Sequence, residues 1–388
     1  YLDNELKETV DTIGENYLRP STYNDNVYGI QTYRGNVMIY YWICDKELFD
    51  ATGFSADDIK NIRDLTPVLA KLKEQNENIV PIAPSLGANN TPNSFNQLAI
   101  LSARDDYEDV LIGSLNPLTC IEKDDLTIKN IYETDMFKEA CELAYEWNQN
   151  GYVLPDASVA TDAPYDLIKA GRAASMTIGY AYGTESVDEI MDAQCGKDIV
   201  AIPLCETLLT PVTMYWSITQ TCSNPEAAAK VLNMMFTNET VLNYIIFGVE
   251  GIDYVKGDVV DGIQTIKYPE GYDMSSVPYT EAYSCGIVGN QFIMYALEGN
   301  TKAEDIAFMK EKTETAKLSP IYGFDPDTTN VKTEQSAIGN VVSQYASGLL
   351  TGELDPEEYI PKMQEEMKDA GMDNFIAEVQ TQLDAWEK

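Results

Sequence analysis

Residues 224–254 read NPEAAAKVLNMMFTNETVLNYIIFGVEGIDY. Asn224-Pro225-Glu226 opens a helix, because proline is tolerated in a first turn where its missing N–H has no helical partner. The spacing predicts one helix over Glu226–Phe236 and a second over Glu239–Phe247, stopped at Gly248. Toward the amino terminus, strands and helices alternate. Pro211–Thr219, Asp198–Pro203, Ala174–Tyr180, Ile79–Ala83, Val37–Ile43 and Val27–Ile30 read as strands, several of them rich in β-branched and aromatic residues. Between them lie helical patterns at 1–18, Asp45–Thr52, Asp64–Asn76, Ser94–Leu101, Asp135–Asn150 and Tyr165–Ala170; Gly53, Gly151 and Gly171 stand where helix C-caps belong. Toward the carboxyl terminus, Tyr254–Tyr283 is hairpin-like and Ala303–Ala316 is a charged helix. Glu334–Trp386 is helical except at Gly352–Pro356 and Gly371. Helix-to-strand alternation of this kind is α/β.

The chain has 388 residues, room for two or three domains at about 100–200 residues each. Its net charge of −37 repels phosphate backbones and anionic headgroups, so nucleic acid is excluded as a partner, as is a membrane surface bound through basic residues. Histidine is absent, which removes Ser-His-Asp and Cys-His catalysis and His-ligated zinc. Carboxylate-only enzymes such as glycosidases stay open on this ground alone. Seven cysteines without a C-x-x-C pair read as small buried residues with at least one thiol left over, a Cys195–Cys205 bridge being the alternative. No run of 18 uncharged apolar residues crosses a membrane, and no secretory signal is visible. The start at Tyr1, without Met and directly in a helical pattern, reads as processed, trimmed or truncated. There is no P-loop and no G-x-G-x-x-G. The acids of DPDTTN (325–330) lack the spacing of a calcium loop. No cofactor, no metal and no catalytic residue is expected.

Four segments resemble bacterial extracellular solute-binding proteins of the family 1, sugar-type class that serve ABC importers. VYGIQTYRGNVMIYYWICDKELFDATGF (27–54) is similar to the motif in which that family first crosses between lobes, with Cys44 in place of the usual Asn. GRAASMTIGYAY (171–182) is similar to its "GxAAMxxGxW" strand and ligand-side loop. The helix pair of 224–254 ends like its "YGxEGxHY". The stretch 319–386, with YASGLLTGELDPEEYIP and QTQLDAW, resembles the C-terminal module of unknown function carried by one branch of these lipoproteins.

The resemblance implies a two-lobe, periplasmic-binding-protein-like α/β fold with the ligand in an interlobe cleft. Lobe one would hold 1–35 and 214–290. Lobe two would hold 36–213 and 291–388, including a helical module at 331–388. Crossings are implied near Tyr33–Asn36, near Pro211–Tyr215 and within Cys285–Thr301. Family members carry further chain ahead of the position matching Tyr1, so the amino-terminal lobe is expected to be incomplete here. ABC permease subunits are implied as partners. The implied location is the outer face of the cytoplasmic membrane, held by an amino-terminal lipid anchor lying outside this chain.

A sugar presents apolar ring faces edged with hydroxyls, so its site needs aromatic platforms and planar polar side chains. The chain is rich in tyrosine, with 25 Tyr beside 10 Phe and 4 Trp, although any one of them is more often core or rim than platform. Tyr180 and Tyr182 match the place where the family puts a stacking aromatic. Tyr33, Arg34 and Asn36 fall at the first implied crossing; a salt bridge to one of the many acids is the competing reading of Arg34. Tyr215 and Trp216 fall at the second, where alternation turns only one inward. Asn290 and Gln291 put polar groups in apolar surroundings, or simply form a turn after Gly289. Tyr322, Phe324 and Asp325 precede the C-terminal helices, where Asp325 or Asp327 also suits a cap. Asn89 and Asn90 read as turn residues, and Trp147 as core. The expected function is non-enzymatic: capture of a carbohydrate, an oligosaccharide, by hinge closure of the lobes. Neutral or singly acidic sugars are expected to bind and polysulfated ones not. A glycoside hydrolase and a peptide- or lipid-binding lipoprotein are the alternatives.

Overall fold

The computed structural model describes residues 1–23, 26–86, 92–94, 97–104, 107–109, 119–122, 126–207, 209, 214–282 and 286–386. The chain forms two compact units, Tyr1–Val37 with Leu209–Gly323, and Met38–Leu208 with Phe324–Lys388. Asn89, Asn90, Cys285 and the first part of the expected Pro211–Thr219 strand lie outside the described residues.

The second unit is built on a four-stranded sheet in the order Ile199–Glu206, Ile39–Asp45, Ala173–Tyr180, Val80–Ile82. The first two pairings are antiparallel and the last is parallel. Ile39–Asp45 runs through the middle, and Trp42, Ile43 and Cys44 are fully buried. An inner strand covered on both faces tolerates a continuous apolar run, which is why this stretch shows no polar alternation. Asp45 then caps the helix Lys46–Thr52 by accepting from the Leu48 N–H, and Gly53 ends it in the left-handed region at φ 81°.

The helices Thr184–Cys195, Pro164–Lys169 and Leu65–Gln75 pack on this sheet, and others pack beyond them. Asp135–Gln149 buries Phe137, Ala140, Ala144 and Trp147 on one stripe, and the Trp147 indole donates to Thr66 Oγ1 at 2.9 Å. The helices Lys332–Leu350, Pro356–Asp369 and Met372–Trp386 belong to the same unit. Gln97 Nε2 donates to the Leu350 carbonyl at 2.7 Å. At Gly352 the backbone passes so close to Asp135–Gln149 that an added Cβ would lie 2.1 Å from the Ala144 carbonyl oxygen.

In the first unit the predicted opening helix is shorter than its pattern. Gly14, at φ 85° and ψ 151°, ends Lys7–Ile13, and Glu15–Ser21 continues as a 3-10 turn. Thr9 hooks that helix onto Pro225–Thr237 through Asn233 Oδ1, at 3.1 Å from its N–H and 2.8 Å from its hydroxyl. Val255–Val260 and Ile263–Lys267 form a hairpin whose turn, Asp261-Gly262, takes positive φ at both residues.

Residues 291–323 group with the first unit, whereas the sequence reading assigned them to lobe two. The cause is long-range pairing. Ala296–Leu297 adds a parallel strand to Ile263–Lys267, and the Asn243 side chain donates to the Ile293 carbonyl and accepts from the Tyr295 N–H. The six described cysteines are thiols; Cys195 and Cys205 are not bridged. No helix among the described residues is long and apolar enough to cross a membrane.

Candidate functional site

Ile30–Gln31 pairs antiparallel with Tyr215–Trp216, and Tyr33 then forms a parallel bridge with Asn290. The Tyr33 N–H donates to the Gly289 carbonyl at 3.0 Å, and the Gln291 N–H donates to the Tyr33 carbonyl at 2.8 Å. This brings Tyr33, Arg34, Asn290 and Gln291 together from distant parts of the chain. Around Tyr33 the rings meet edge to face, Tyr17 at 5.0 Å and Phe292 at 4.9 Å, with Tyr322 6.2 Å from Tyr17. All four are buried.

The edge of this aromatic cluster carries polar atoms enclosed without a hydrogen-bond partner: Tyr17 Oη, Gln31 Oε1, Thr32 Oγ1 and Arg34 Nε. Buried polar atoms are nearly always paired, and leaving one unpaired costs about 1–3 kcal/mol. Four such atoms lie on one short segment and its neighbour. Burial pushes the Tyr17 and Tyr33 phenols up, and the Glu314 carboxylate adds to both shifts. Tyr322 is pushed up to about 12 by burial, opposed by a hydrogen bond with Gln31; Gln31 Nε2 lies 3.4 Å from the Tyr322 hydroxyl. The phenols therefore stay protonated at neutral pH, as donors. A cavity of about 360 Å³ opens beside Tyr17, Tyr33, Leu209, Thr313 and Glu314.

The remaining predicted residues are distributed. Asn290 is a structural cap in this arrangement: its amide donates to the Phe236 carbonyl at 3.1 Å and its oxygen accepts from the Phe292 N–H at 2.9 Å. Gln291 accepts from the Gly35 N–H at 3.1 Å, and Asn36 is half-buried. Tyr215 and Trp216 are partly exposed; the Trp216 indole donates to the Ile287 carbonyl at 3.1 Å. Trp216 also lines a cavity of about 420 Å³ with Tyr28, Ile30, Ile218 and Leu232.

In the second unit Tyr180 and Tyr182 stack on each other, and the Tyr41 hydroxyl donates to the Tyr182 carbonyl at 2.8 Å. Phe324 is buried against Trp386, 5.6 Å between centroids, and Asp325 is exposed. Phe324 thus anchors the last helix within its own unit. Among the described residues no three Cys, Asp or Glu side chains converge as a metal site.

Sequence reasoning missed Tyr17, Gln31, Thr32 and Tyr41. Gln31 and Thr32 left a signal, two polar residues in an otherwise apolar and aromatic strand; Tyr17 sits in a turn whose destination only the fold reveals.

The family model described as "Bacterial extracellular solute-binding protein" matches residues 1–241, and "Domain of unknown function (DUF3502)" matches 320–388. A carbohydrate ABC transporter substrate-binding protein of Streptococcus pneumoniae is 26% identical over 99% of this chain and 74% of its own length. The crystal structure of the N-glycan transport solute-binding protein NgtS from the same species has a TM-score of 0.74. It is 22% identical and covers 99% of this chain and 81% of that one. An HMO-binding solute-binding protein of Bifidobacterium longum infantis has a TM-score of 0.68 at 14% identity, over 99% and 82% of the two chains. These solved structures share the two-lobe solute-binding fold with this chain.

Proposed function

The chain belongs to the bacterial extracellular solute-binding protein family, and from that premise we propose that it is the carbohydrate-binding component of an ABC importer, taking an oligosaccharide by hinge closure of two lobes. One observation carries the reading: buried aromatic rings edged by unpartnered hydroxyl, carboxamide and guanidinium atoms at Tyr17 and Gln31–Arg34. Ring faces meet aromatic carbon, and sugar hydroxyls supply the partners that the enclosed polar atoms lack. Tyr33, Arg34 and Gln291 serve the ligand from the first unit. Tyr180 and Tyr182 offer a platform from the second. The relatives support the sugar class, since the curated one is named for carbohydrate and NgtS has been solved with Man1GlcNAc and with Man5GlcNAc.

The protein acts without catalysis and hands its ligand to permease subunits at the outer face of the membrane, where a lipid anchor holds such proteins. A thermal-shift screen against oligosaccharides and peptides tests this. A ligand at 100 times its Kd adds about 2.7 kcal/mol of stability. Stabilisation by peptides alone, or steady release of cleaved sugar, would overturn the reading.

A further inference from the structure

Arg34 is the anomalous cation of the first unit. Elsewhere, Arg63 and Arg172 each pair with a carboxylate, Glu139 and Asp162. Among the described residues Arg34 has no ion pair and no hydrogen bond, and its Nε is enclosed without an acceptor. In a chain with 63 acidic residues against 26 basic ones, a guanidinium without a carboxylate is held apart from them by its surroundings. Those surroundings are specific. The Gln291 oxygen is taken by the Gly35 N–H, so its amino group is left as a donor. Gly286, at φ +80°, leaves the space between: a Cβ there would stand 3.4 Å from Arg34 Nε and 3.3 Å from both the carbon and the oxygen of the Gln291 carboxamide. The Arg34 guanidinium and the Gln291 carboxamide thus border one small opening.

We infer that Arg34 and Gln291 form a carboxylate-binding subsite, so that the preferred ligand is an oligosaccharide bearing a single acidic sugar, a uronic or other carboxylated residue. This rests on the carbohydrate reading above. A planar guanidinium matches a carboxylate with two parallel hydrogen bonds, which a sugar hydroxyl cannot offer with charge. The net charge of −37 sets the limit: the overall field opposes a polyanion, whereas one carboxylate lodged against Arg34 is locally neutralised.

The test uses matched pairs of oligosaccharides, each neutral member compared with the same chain carrying one terminal CH2OH oxidised to a carboxylate. Affinities are measured by titration calorimetry at low and at physiological salt. The acidic member is expected to bind about tenfold more tightly, the scale of one charge-assisted hydrogen bond, with the advantage shrinking as salt rises. Arg34→Gln should erase the difference within each pair, and Arg34→Lys should restore part of it. Gln291→Glu supplies an internal carboxylate beside Arg34; it should also erase the preference, with a melting temperature at or above the parent's, which shows that the variant is folded. Equal binding within every pair, or an acid preference that survives Arg34→Gln, overturns the inference and leaves the carbohydrate reading standing. If neither series binds, the carbohydrate reading falls and this inference with it.

Discussion

The rings of Tyr180 and Tyr182 lie nearly parallel, 6.0 Å between centroids with 24° between planes. The strand ends at Tyr180 and the chain bends at Ala181 and Tyr182, so it is the stacking of the two rings, not strand alternation, that keeps both on one side. Each ring is half-buried, and together they present a broader surface than either alone.

Tyr182→Ala should therefore weaken binding of the sugar ligand several-fold, on the order of 1 kcal/mol by analogy with aromatic pairs. The melting temperature should change little, because a half-buried ring leaves no sealed cavity. Calorimetric affinity and thermal melting on the same preparation decide it. A large melting drop with unchanged affinity would assign the ring to packing instead.

Asn290→Ala has the opposite signature. It strips the Phe236 carbonyl and the Phe292 N–H of their partners in a place only 3% exposed. The expected loss is about 2–3 kcal/mol of unfolding free energy, measured by urea titration. Affinity extrapolated to the folded fraction should stay close to that of the parent; a clean affinity loss at unchanged stability would make Asn290 a ligand contact.

Two glycines of the C-terminal module should respond in opposite directions. Gly352→Ala drives a Cβ to 2.1 Å from the Ala144 carbonyl oxygen at φ +77°, and should cost at least about 2 kcal/mol. Gly339 lies inside the helix Lys332–Leu350, where a Cβ meets nothing within 4 Å. Gly339→Ala should stabilise by about 0.5–1 kcal/mol. Melting temperatures of the two variants check both signs.

Tyr322 makes stability fall at high pH. Its folded pKa is raised to about 12, chiefly by burial, above about 10 for an exposed phenol. A raised pKa means the unfolded chain loses its proton first. The stabilising effect is then complete below pH ~10 and is lost as pH rises through ~12. The stability gap between the parent and Tyr322→Phe should close across that window in urea titrations at stepped pH. A gap independent of pH would remove the assignment.

Much of the second unit was legible because its elements are locally coded. Val37–Ile43 and Ala174–Tyr180 are dense in strand formers, and Gly53, Gly151 and Gly171 stop helices where the pattern ends. The first unit was less so. Leu2 to Leu18 keep a helical spacing, yet Gly14 breaks the helix by its backbone angles alone. Residues 291–323 changed unit because Thr265↔Ala296 pairing is invisible to any local window. At the site, Tyr33, Arg34 and Gln291 were picked out by their place in a resembling motif or a polar cluster. Their meeting depends on the Tyr33–Asn290 bridge. Tyr17, Gln31 and Thr32 escaped because an unpartnered atom can be recognised only once every neighbour is in place.

The hydrogen bond from the Gly35 N–H to Gln291 Oε1 joins positions 256 residues apart. Closing so long a loop carries an entropic cost that grows with its length, about 0.6 kcal/mol for each doubling, and contacts of this kind slow folding. During synthesis the strand at Ile30–Gln31 must wait, unpaired, until more than half of the chain has emerged and Tyr215–Trp216 can join it, and the turn that follows must wait longer still, for Asn290 and Gln291. The edge of the first unit proposed to meet the ligand is therefore among the last parts to mature. In pulse-labelled hydrogen exchange during refolding, the Gly35 amide should gain protection after amides of the Asp135–Gln149 helix, whose bonds are all local. Protection of Gly35 in the earliest phase would show that these distant parts of the chain find each other before the second unit is built.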